Sequence, residues 1–359
     1  MAKNRYYPVL ILSAIIIIIQ LLTLIFNVKF YLTQLTMSAY YSIVVIGLCM
    51  LMGYAGQISL GQAGFFAIGG YSTAVLTTAN FIKYQNYFFV ILLNKVGFFI
   101  SDKNIFGDQI LYVSPWYAFF SAILITIIIA IIIGIPVLKL KGHYLAMATL
   151  GFGIIIYKVV IGTRIFGEAD GITNIPGFIL LPGIVISGDF STRILNYYIV
   201  WIFIIIELIL LINLINSRVG RALRTLHGGE TAANAMGINT FRYKLNIFIL
   251  SAVFASIAGI FLTHYNRGIG PSEASITKSI RYVAIVAAGG MANLWGTLIV
   301  GFILNFLSLR GVFGSYDDAV FGIILISILI FDPNGLIRNT FINNFSSLLK
   351  LLIKKIRRA

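Results

Sequence analysis

The chain of 359 residues is 59% hydrophobic and only 10% charged, with a mean hydropathy of +0.98. Because soluble domains carry about 25% charged residues, this composition excludes a single soluble core and indicates a polytopic membrane protein. The net charge is +15, but the basic residues lie mostly in short loops and tails, where they meet anionic lipid headgroups. That distribution argues against a nucleic-acid-binding module. A single cysteine, Cys49, excludes a disulfide framework and a cysteine-based metal site.

Apolar segments of up to about 20 residues recur along the chain. They predict an all-α polytopic membrane protein with about 8–10 transmembrane helices, including broken or half helices. The first segment resembles a signal sequence but lacks a small-residue cleavage pattern, so we expect it to be retained. The eighth is too short for an ordinary crossing and is expected to be a half-helix or re-entrant segment. The predicted segments are 8–26, 35–52, 60–80, 115–138, 143–161, 196–216, 245–265, 280–291, 293–310 and 316–333.

We interpret residues 1–359 as one membrane domain. The distribution of Lys and Arg between its loops predicts its orientation in the membrane. With ten crossings and a cytoplasmic N-terminus, the polar loop 217–244 and the basic tail 336–359 both lie in the cytoplasm. Lys278 and Arg281 fall outside in this scheme. Residues 81–114 are expected to form an external loop or an interfacial segment, because Lys95 in their middle disfavours a span.

Residues 53–71, GYAGQISLGQAGFFAIGGY, place glycines among Gln57, Ser59 and Gln62 at membrane depth. Glycine allows close backbone approach and broken helices, whereas amides and hydroxyls at this depth need partners or a polar cavity. The segment is therefore either a packing turn between spans or the lining of a transport path. A phosphate-binding loop is excluded, because no Gly-Lys-Ser/Thr sequence occurs in the chain. The glycines of the candidate path in this segment are Gly53, Gly56 and Gly61.

A second glycine-rich stretch, 287–302, interrupts the apolar pattern in the second half of the chain and adds Gly289 and Gly290 to the candidate path. Paired, glycine-interrupted segments in two halves of a transporter point to its substrate path.

In the span 245–265, Ser251, Ala255 and Gly259 are spaced by four residues. This spacing predicts a face for close helix contact, either within this chain or with a partner.

Glu207 lies deep within a predicted span, where acidic residues are functional candidates. A proton relay would need several such groups, so we favour a structural hydrogen bond or an interfacial position. The three histidines are scattered and show neither metal-ligand spacing nor a Ser/His/Asp grouping. We therefore expect no catalytic residue, no metal site and no cofactor in this chain.

The polar loop 217–244 contains the main functional signal. Residues 217–225 continue the preceding span with a basic helix, and Gly228 and Gly229 interrupt it. Residues 230–236, ETAANAM, favour a short separate helix, and Gly237 stands where that helix would stop. Two interpretations remain: a docking element for a cytoplasmic partner, or a solvated connector whose charge only sets orientation.

The loop resembles the cytoplasmic Glu-Ala-Ala-x-x-x-Gly signature of the membrane subunits of bacterial ABC importers. Thr231 stands at the glutamate position of that signature, and a glutamate precedes it by one residue. The resemblance implies that the short helix docks into a groove of an ATPase subunit. The residues implied in docking are Glu230, Thr231, Ala232, Ala233 and Gly237.

Several motifs together resemble the branched-chain amino acid permeases of the LivM type. They are GYAGQISLGQAGFFAIGGY, LKGHYLAMATLGFG, GEADGITNIPG, AMGINTFRYKLNIFILSAVFASIAGIF and FDPNGL, and with the chain between them they cover roughly residues 35–335. The resemblance implies a multi-pass permease subunit of an ABC importer in the bacterial inner membrane. Such a subunit forms half of the translocation pathway for leucine, isoleucine and valine and works by alternating access.

The resemblance also implies a set of partners. They are a LivH-like permease in a heterodimer, two cytoplasmic ATPases that bind ATP and Mg, and a periplasmic or lipid-anchored binding protein. Relatives that move urea, short amides or nucleosides leave those substrates as an alternative. A stand-alone ion-coupled transporter or channel would show several intramembrane charges, and a membrane-embedded enzyme would show a nucleophile-base or metal cluster.

Overall fold

The computed structural model describes residues 6–82, 97–103 and 109–331, together with positions 85, 87, 91, 92 and 94. The predicted basic tail 336–359, most of the FDPNGL motif and much of the segment 81–114 lie outside these residues.

The described residues form an α-helical membrane domain, which confirms the predicted fold class. The helices numbered in the described residues are α1 Tyr7–Ile25, α2 Tyr31–Cys49, α3 Gln62–Thr78, α4 Pro115–Val137, α5 His143–Gly162, α6 Arg193–Asn216, α7 Arg218–Gly228, α8 Glu230–Ala235, α9 Thr240–Asn266, α10 Ile276–Gly289, α11 Leu294–Leu309 and α12 Asp317–Phe331. Six of them are long and apolar enough to cross a membrane, namely α1, α2 with its continuation to Tyr54, α4, α5, α6 and α9.

Four of the predicted spans form helices shorter than a full crossing. Helices α3, α10, α11 and α12 have 17, 14, 16 and 15 residues, whereas a bilayer crossing needs about 20. The sequence therefore correctly predicted short and broken helices, and 280–291 is the C-terminal part of one of them.

Among the described residues, three short antiparallel ribbons lie between the helices: β1 Phe99–Lys103 with β2 Gln109–Val113, β3 Ile172–Thr173 with β6 Gly268–Ile269, and β4 Phe178–Leu181 with β5 Ile184–Ile186. The first ribbon lies within the segment 81–114, for which no strand was predicted. Its Phe99, Leu111 and Val113 are buried with Ala118 of α4, so this part packs on the helical domain.

Helices α9 and α3 pack backbone against backbone at the centre of the domain. A Cβ atom added to Gly259 would lie 2.1 Å from the carbonyl oxygen of Phe66, and one added to Gly69 would lie 2.4 Å from that of Ser256. The predicted small-residue face of α9 is thus used for close contact within this chain.

Helices α3 and α10 both begin at membrane depth. The amide nitrogen of the Gln62 side chain donates to Ser251 Oγ over 3.0 Å, and Ala63 N donates to Ser279 Oγ over 3.2 Å. Ser251 lies roughly 16 Å along the axis from the start of α9 and roughly 22 Å from its end, at 1.5 Å per residue. Lys278 and Arg281, which the charge count places outside, therefore lie at membrane depth within the first two turns of α10.

Candidate functional site

Helix α2 ends in an irregular break that contains most of the candidate path residues. It continues as a π-helix, Met50–Tyr54, and the chain is non-helical from Gly56 to Gly61, before α3 begins at Gln62. Gly56 has a φ of +66°, which glycine adopts without the steric cost that a Cβ atom would bring. Short π-helical segments of this kind occur frequently at functional sites.

The two glycine-rich stretches touch each other at this break. A Cβ atom on Gly53 would lie 1.5 Å from the carbonyl oxygen of Met291, so only glycine fits between these two segments. The Tyr54 hydroxyl donates to the carbonyl oxygen of Ala292 over 2.9 Å. The pairing that the sequence suggested is therefore a direct backbone contact.

The second stretch turns sharply at Gly289 and Gly290. A Cβ atom on Gly289 would lie 2.4 Å from the Cα atom of Thr297, and Gly290 ends α10 with a φ of +97°. Helix α11 then returns directly against α10, so the two short helices form a hairpin whose tip meets the break in α2. Both glycines serve this tight reversal.

Two of the polar path candidates are engaged in packing. Gln62 donates to α9 as described above, and Ser59 Oγ accepts from Gly61 N over 3.4 Å. Gly61 also packs closely on α5, because a Cβ atom there would lie 2.9 Å from the carbonyl oxygen of Thr149. For these residues the packing interpretation fits the geometry.

Gln57 differs from its polar neighbours. Its side chain is 2% exposed, and among the described residues neither its amide nitrogen nor its amide oxygen has a hydrogen-bond partner. It lines a cavity of about 180 Å³ together with Lys141, Glu230 and Lys244. The cavity joins the candidate path to the polar loop 217–244, which the sequence treated as two separate sites.

The first part of that loop is a rigid corner. Ser217 caps α7 by accepting from Val219 N over 3.1 Å, which satisfies a donor of the first turn. A Cβ atom on Gly220 would lie 2.0 Å from the carbonyl oxygen of Ile215, so α7 folds tightly back on the end of α6. The predicted basic helix is thus a separate element rather than a continuation of the span.

Helix α8 forms where the sequence predicted a short helix. Gly237 has a φ of +78° and follows its last turn. Ile238 N donates to Ala233 O over 3.1 Å, and Gly237 N donates to Asn234 O over 2.9 Å. These two bonds are the Schellman arrangement that terminates helices at glycine, so the predicted stop is confirmed.

The five docking candidates differ in exposure, and Glu230 is only partly exposed. Thr231, Ala232 and Gly237 are exposed, whereas Ala233 is fully buried against the rest of this chain. Met236, four residues after Ala232, is 61% exposed and extends the outer face. Met236 was not among the predicted docking residues, although its helical spacing from Ala232 places the two on one face.

Glu230 anchors α8 to the start of α9. Its Oε2 lies 2.7 Å from the Nζ of Lys244, whose side chain is 12% exposed, and the Thr240 hydroxyl donates to Oε1 over 3.4 Å. The hydrogen bond from Lys244, aided by the nearby charge of Lys141, lowers the pKa of Glu230 below its usual value. Lys141 and Lys244, which were not among the predicted site residues, both line the cavity beside Glu230.

This ion pair predicts a pH-dependent contribution to stability. Because the folded-state pKa of Glu230 is lowered, the contribution is fully present above the unfolded value of about 4.3 and is lost as the pH falls through the lowered pKa. We expect Glu230→Gln to lower the melting temperature at pH 7 and to lower it less at pH values below about 4. Thermal melts of both proteins across that range measure this, and a pH-independent difference would contradict the ion-pair explanation.

Glu207 does not make the structural hydrogen bond that we favoured. It is 2% exposed on α6, and neither carboxylate oxygen has a partner within the described part of the chain.

Comparison with known proteins decides the family. Residues 30–329 match the family model described as the branched-chain amino acid transport system permease component. The chain belongs to this family. Together with the apolar helices, this assignment makes it a multi-pass membrane protein and a transport component rather than an enzyme.

Relatives agree with the family. The chain is 28% identical to the high-affinity branched-chain amino acid permease protein LivM of Salmonella typhimurium, over 85% of this chain and 69% of LivM. It is 25% identical to LivH of the same organism, over 84% of this chain and 92% of LivH. The ribose import permease protein RbsC of Escherichia coli K12 is 30% identical over 37% of this chain and 44% of its own length. No solved structure matches the chain.

Proposed function

We propose that the chain is the permease subunit of a bacterial ABC importer for leucine, isoleucine and valine. It forms half of the translocation pathway in the inner membrane, with both termini in the cytoplasm. The family match over residues 30–329 carries this proposal. Relatives named for branched-chain amino acid transport, aligned over most of this chain, support the substrate class.

Coupling to ATP hydrolysis is proposed to act through α8. Its outer face, Thr231, Ala232 and Met236, is exposed, and its inner side is attached to α9 by the Glu230–Lys244 pair. The same pair lines the cavity of Gln57 at the break in α2. Displacement of α8 would therefore change the shape of this cavity beside the broken helix, which is a route by which the motion of the ATPases could alter the path.

The proposed assembly contains further subunits. A LivH-like permease forms the other half of the pathway, and two cytoplasmic ATPases bind ATP and Mg and press on α8. A periplasmic or lipid-anchored binding protein delivers the substrate. The separate LivM and LivH relatives support a heterodimer of permeases, because this chain resembles both.

A second candidate substrate class is a small polar solute such as urea, a short amide or a nucleoside. The partial match to a ribose import permease supports keeping this alternative, because that relative is named for import of a small polar solute. The chain would act in the same way with such a substrate, and only the delivered molecule would differ.

Uptake by the native host tests the substrate. We expect deletion of this chain to remove most uptake of leucine, isoleucine and valine at micromolar concentration, and expression of the wild-type chain to restore it. Urea, ribose and uridine uptake serve as parallel measurements. Unchanged leucine uptake with loss of one of the others would replace the proposed substrate by the second class.

A further inference from the structure

A second polar cavity, of about 330 Å³, lies between α2, α10, α11 and the start of α12, away from α8. It opens beside the membrane-embedded first turns of α10. Ser308 and Leu309 complete a lining that is formed mainly by Tyr41, Lys278, Arg281, Tyr282, Asn305 and Asp317. None of these residues was singled out from the sequence as a site.

Charged groups on the cavity wall are held in place by neighbours. Lys278 Nζ lies 3.1 Å from Glu273 Oε1 and 3.0 Å from the Tyr41 hydroxyl. Arg281 Nη1 lies 3.0 Å from Asp317 Oδ2, which also accepts from Ser308. Both cations therefore have fixed positions, so little ordering is needed when a ligand arrives.

Three polar atoms on the same wall have no hydrogen-bond partner among the described residues. They are the hydroxyl of Tyr282, whose side chain is 1% exposed, the amide nitrogen of Asn305 and Oδ1 of Asp317. Buried polar groups are normally paired, so such atoms around one cavity indicate a missing polar partner. The amide nitrogen is a donor, the hydroxyl can donate, and the carboxylate oxygen is an acceptor.

We propose that this cavity binds the zwitterionic head of an α-amino acid. The ligand carboxylate accepts hydrogen bonds from Tyr282 and Asn305 near the cations of Lys278 and Arg281. The ligand ammonium donates to Oδ1 of Asp317. The tyrosine rings and Leu309 offer apolar walls to an aliphatic side chain.

The inference rests on the proposed function and adds a substrate site to it. Two observations support the amino-acid class over an uncharged solute. Donors and an acceptor without partners share one cavity with fixed charges of both signs, which matches a molecule carrying both charges. The cavity also lies beside a short helix that begins at membrane depth, where transporters place their substrates.

Direct binding to the purified full chain tests the site. The chain is purified in lipid nanodiscs with whatever subunits accompany it, and binding is measured by calorimetry with L-leucine, L-leucinamide and 4-methylpentanoate. We expect L-leucine to bind more tightly than the other two, which lack the carboxylate or the ammonium. We expect Tyr282→Phe, which removes only the hydroxyl, to weaken L-leucine binding by about tenfold.

Tyr40→Phe is the matched control. The Tyr40 hydroxyl is also buried and unpaired within the described chain, but Tyr40 does not line the cavity. We expect this variant to bind L-leucine like the wild type. Absence of L-leucine binding, equal binding of all three compounds, or equal effects of the two tyrosine variants would each overturn the site. Leucine uptake by the host is a separate measurement from this binding assay. A negative binding result together with normal leucine uptake would overturn the site and leave the proposed function standing.

Discussion

Replacing Gly53 with alanine is expected to destabilise the folded permease strongly and to abolish transport. The added Cβ atom would lie 1.5 Å from the carbonyl oxygen of Met291. A backbone carbonyl group cannot move aside as the end of a flexible side chain can. Forced overpacking typically costs about 1–3 kcal/mol, and a backbone obstacle places this variant at the upper end. Because the entropy of unfolding grows with chain length, thermal melts of this 359-residue chain should show a melting temperature lower by roughly 4 °C.

Gly151→Ala is the control for this variant. Gly151 lies within α5, and a Cβ atom there meets no atom within 4 Å. We expect its melting temperature and its leucine uptake to match the wild type, or its stability to rise slightly, because alanine is the better helix former. If Gly53→Ala behaved like Gly151→Ala, the two glycine-rich stretches would not be in contact.

Replacing Ala232 with tryptophan is expected to uncouple transport while the fold stays intact. Ala232 is exposed on the outer face of α8, so we expect the larger side chain to extend outward and obstruct docking into the proposed ATPase groove. Loss of one central contact in an interface costs roughly 1–3 kcal/mol, or about a tenfold to hundredfold weaker association. The measurements are leucine uptake, which should fall, and the amount of ATPase that copurifies, which should fall in parallel.

Two further variants separate docking from folding. Ala233 is fully buried, so Ala233→Trp should lower the melting temperature, which Ala232→Trp should leave unchanged. Lys139→Trp places the same large side chain on an exposed position outside α8 and should leave uptake unchanged. Normal uptake and normal ATPase recovery with Ala232→Trp would show that α8 is a solvated connector.

Much of α8 was predictable because its signals are local. Gly229, the helix-forming residues 230–236 and Gly237 lie next to each other in sequence, and the left-handed conformation of Gly237 is a property of that one residue. The side of the helix that faces outward was not predictable. Burial of Ala233 and exposure of Met236 depend on how α8 lies on α9, which helical periodicity alone does not define.

The candidate path residues were also predictable from the sequence only in part. Glycines among polar residues correctly predicted a break after α2, because a run of that composition cannot continue as an ordinary span. Gln62 and Ser59 then proved to be engaged in packing, while Gln57 faces a cavity shared with Glu230 and Lys244. The neighbours of Gln62 and Gln57 come from segments more than 80 residues away, and no local pattern identifies them.

Hydrophobicity and short-range spacing by themselves determined that this is an all-α polytopic membrane protein, with two glycine breaks and one short helix in a basic loop. These properties follow from the cost of placing polar groups in lipid and from backbone preferences, which act residue by residue. Only the tertiary structure decided that the breaks touch, that Lys278 and Arg281 lie at membrane depth, and that both cavities exist. The physical reason is that contacts between distant segments depend on how whole helices pack together, and helix packing is decided by the complete set of neighbours.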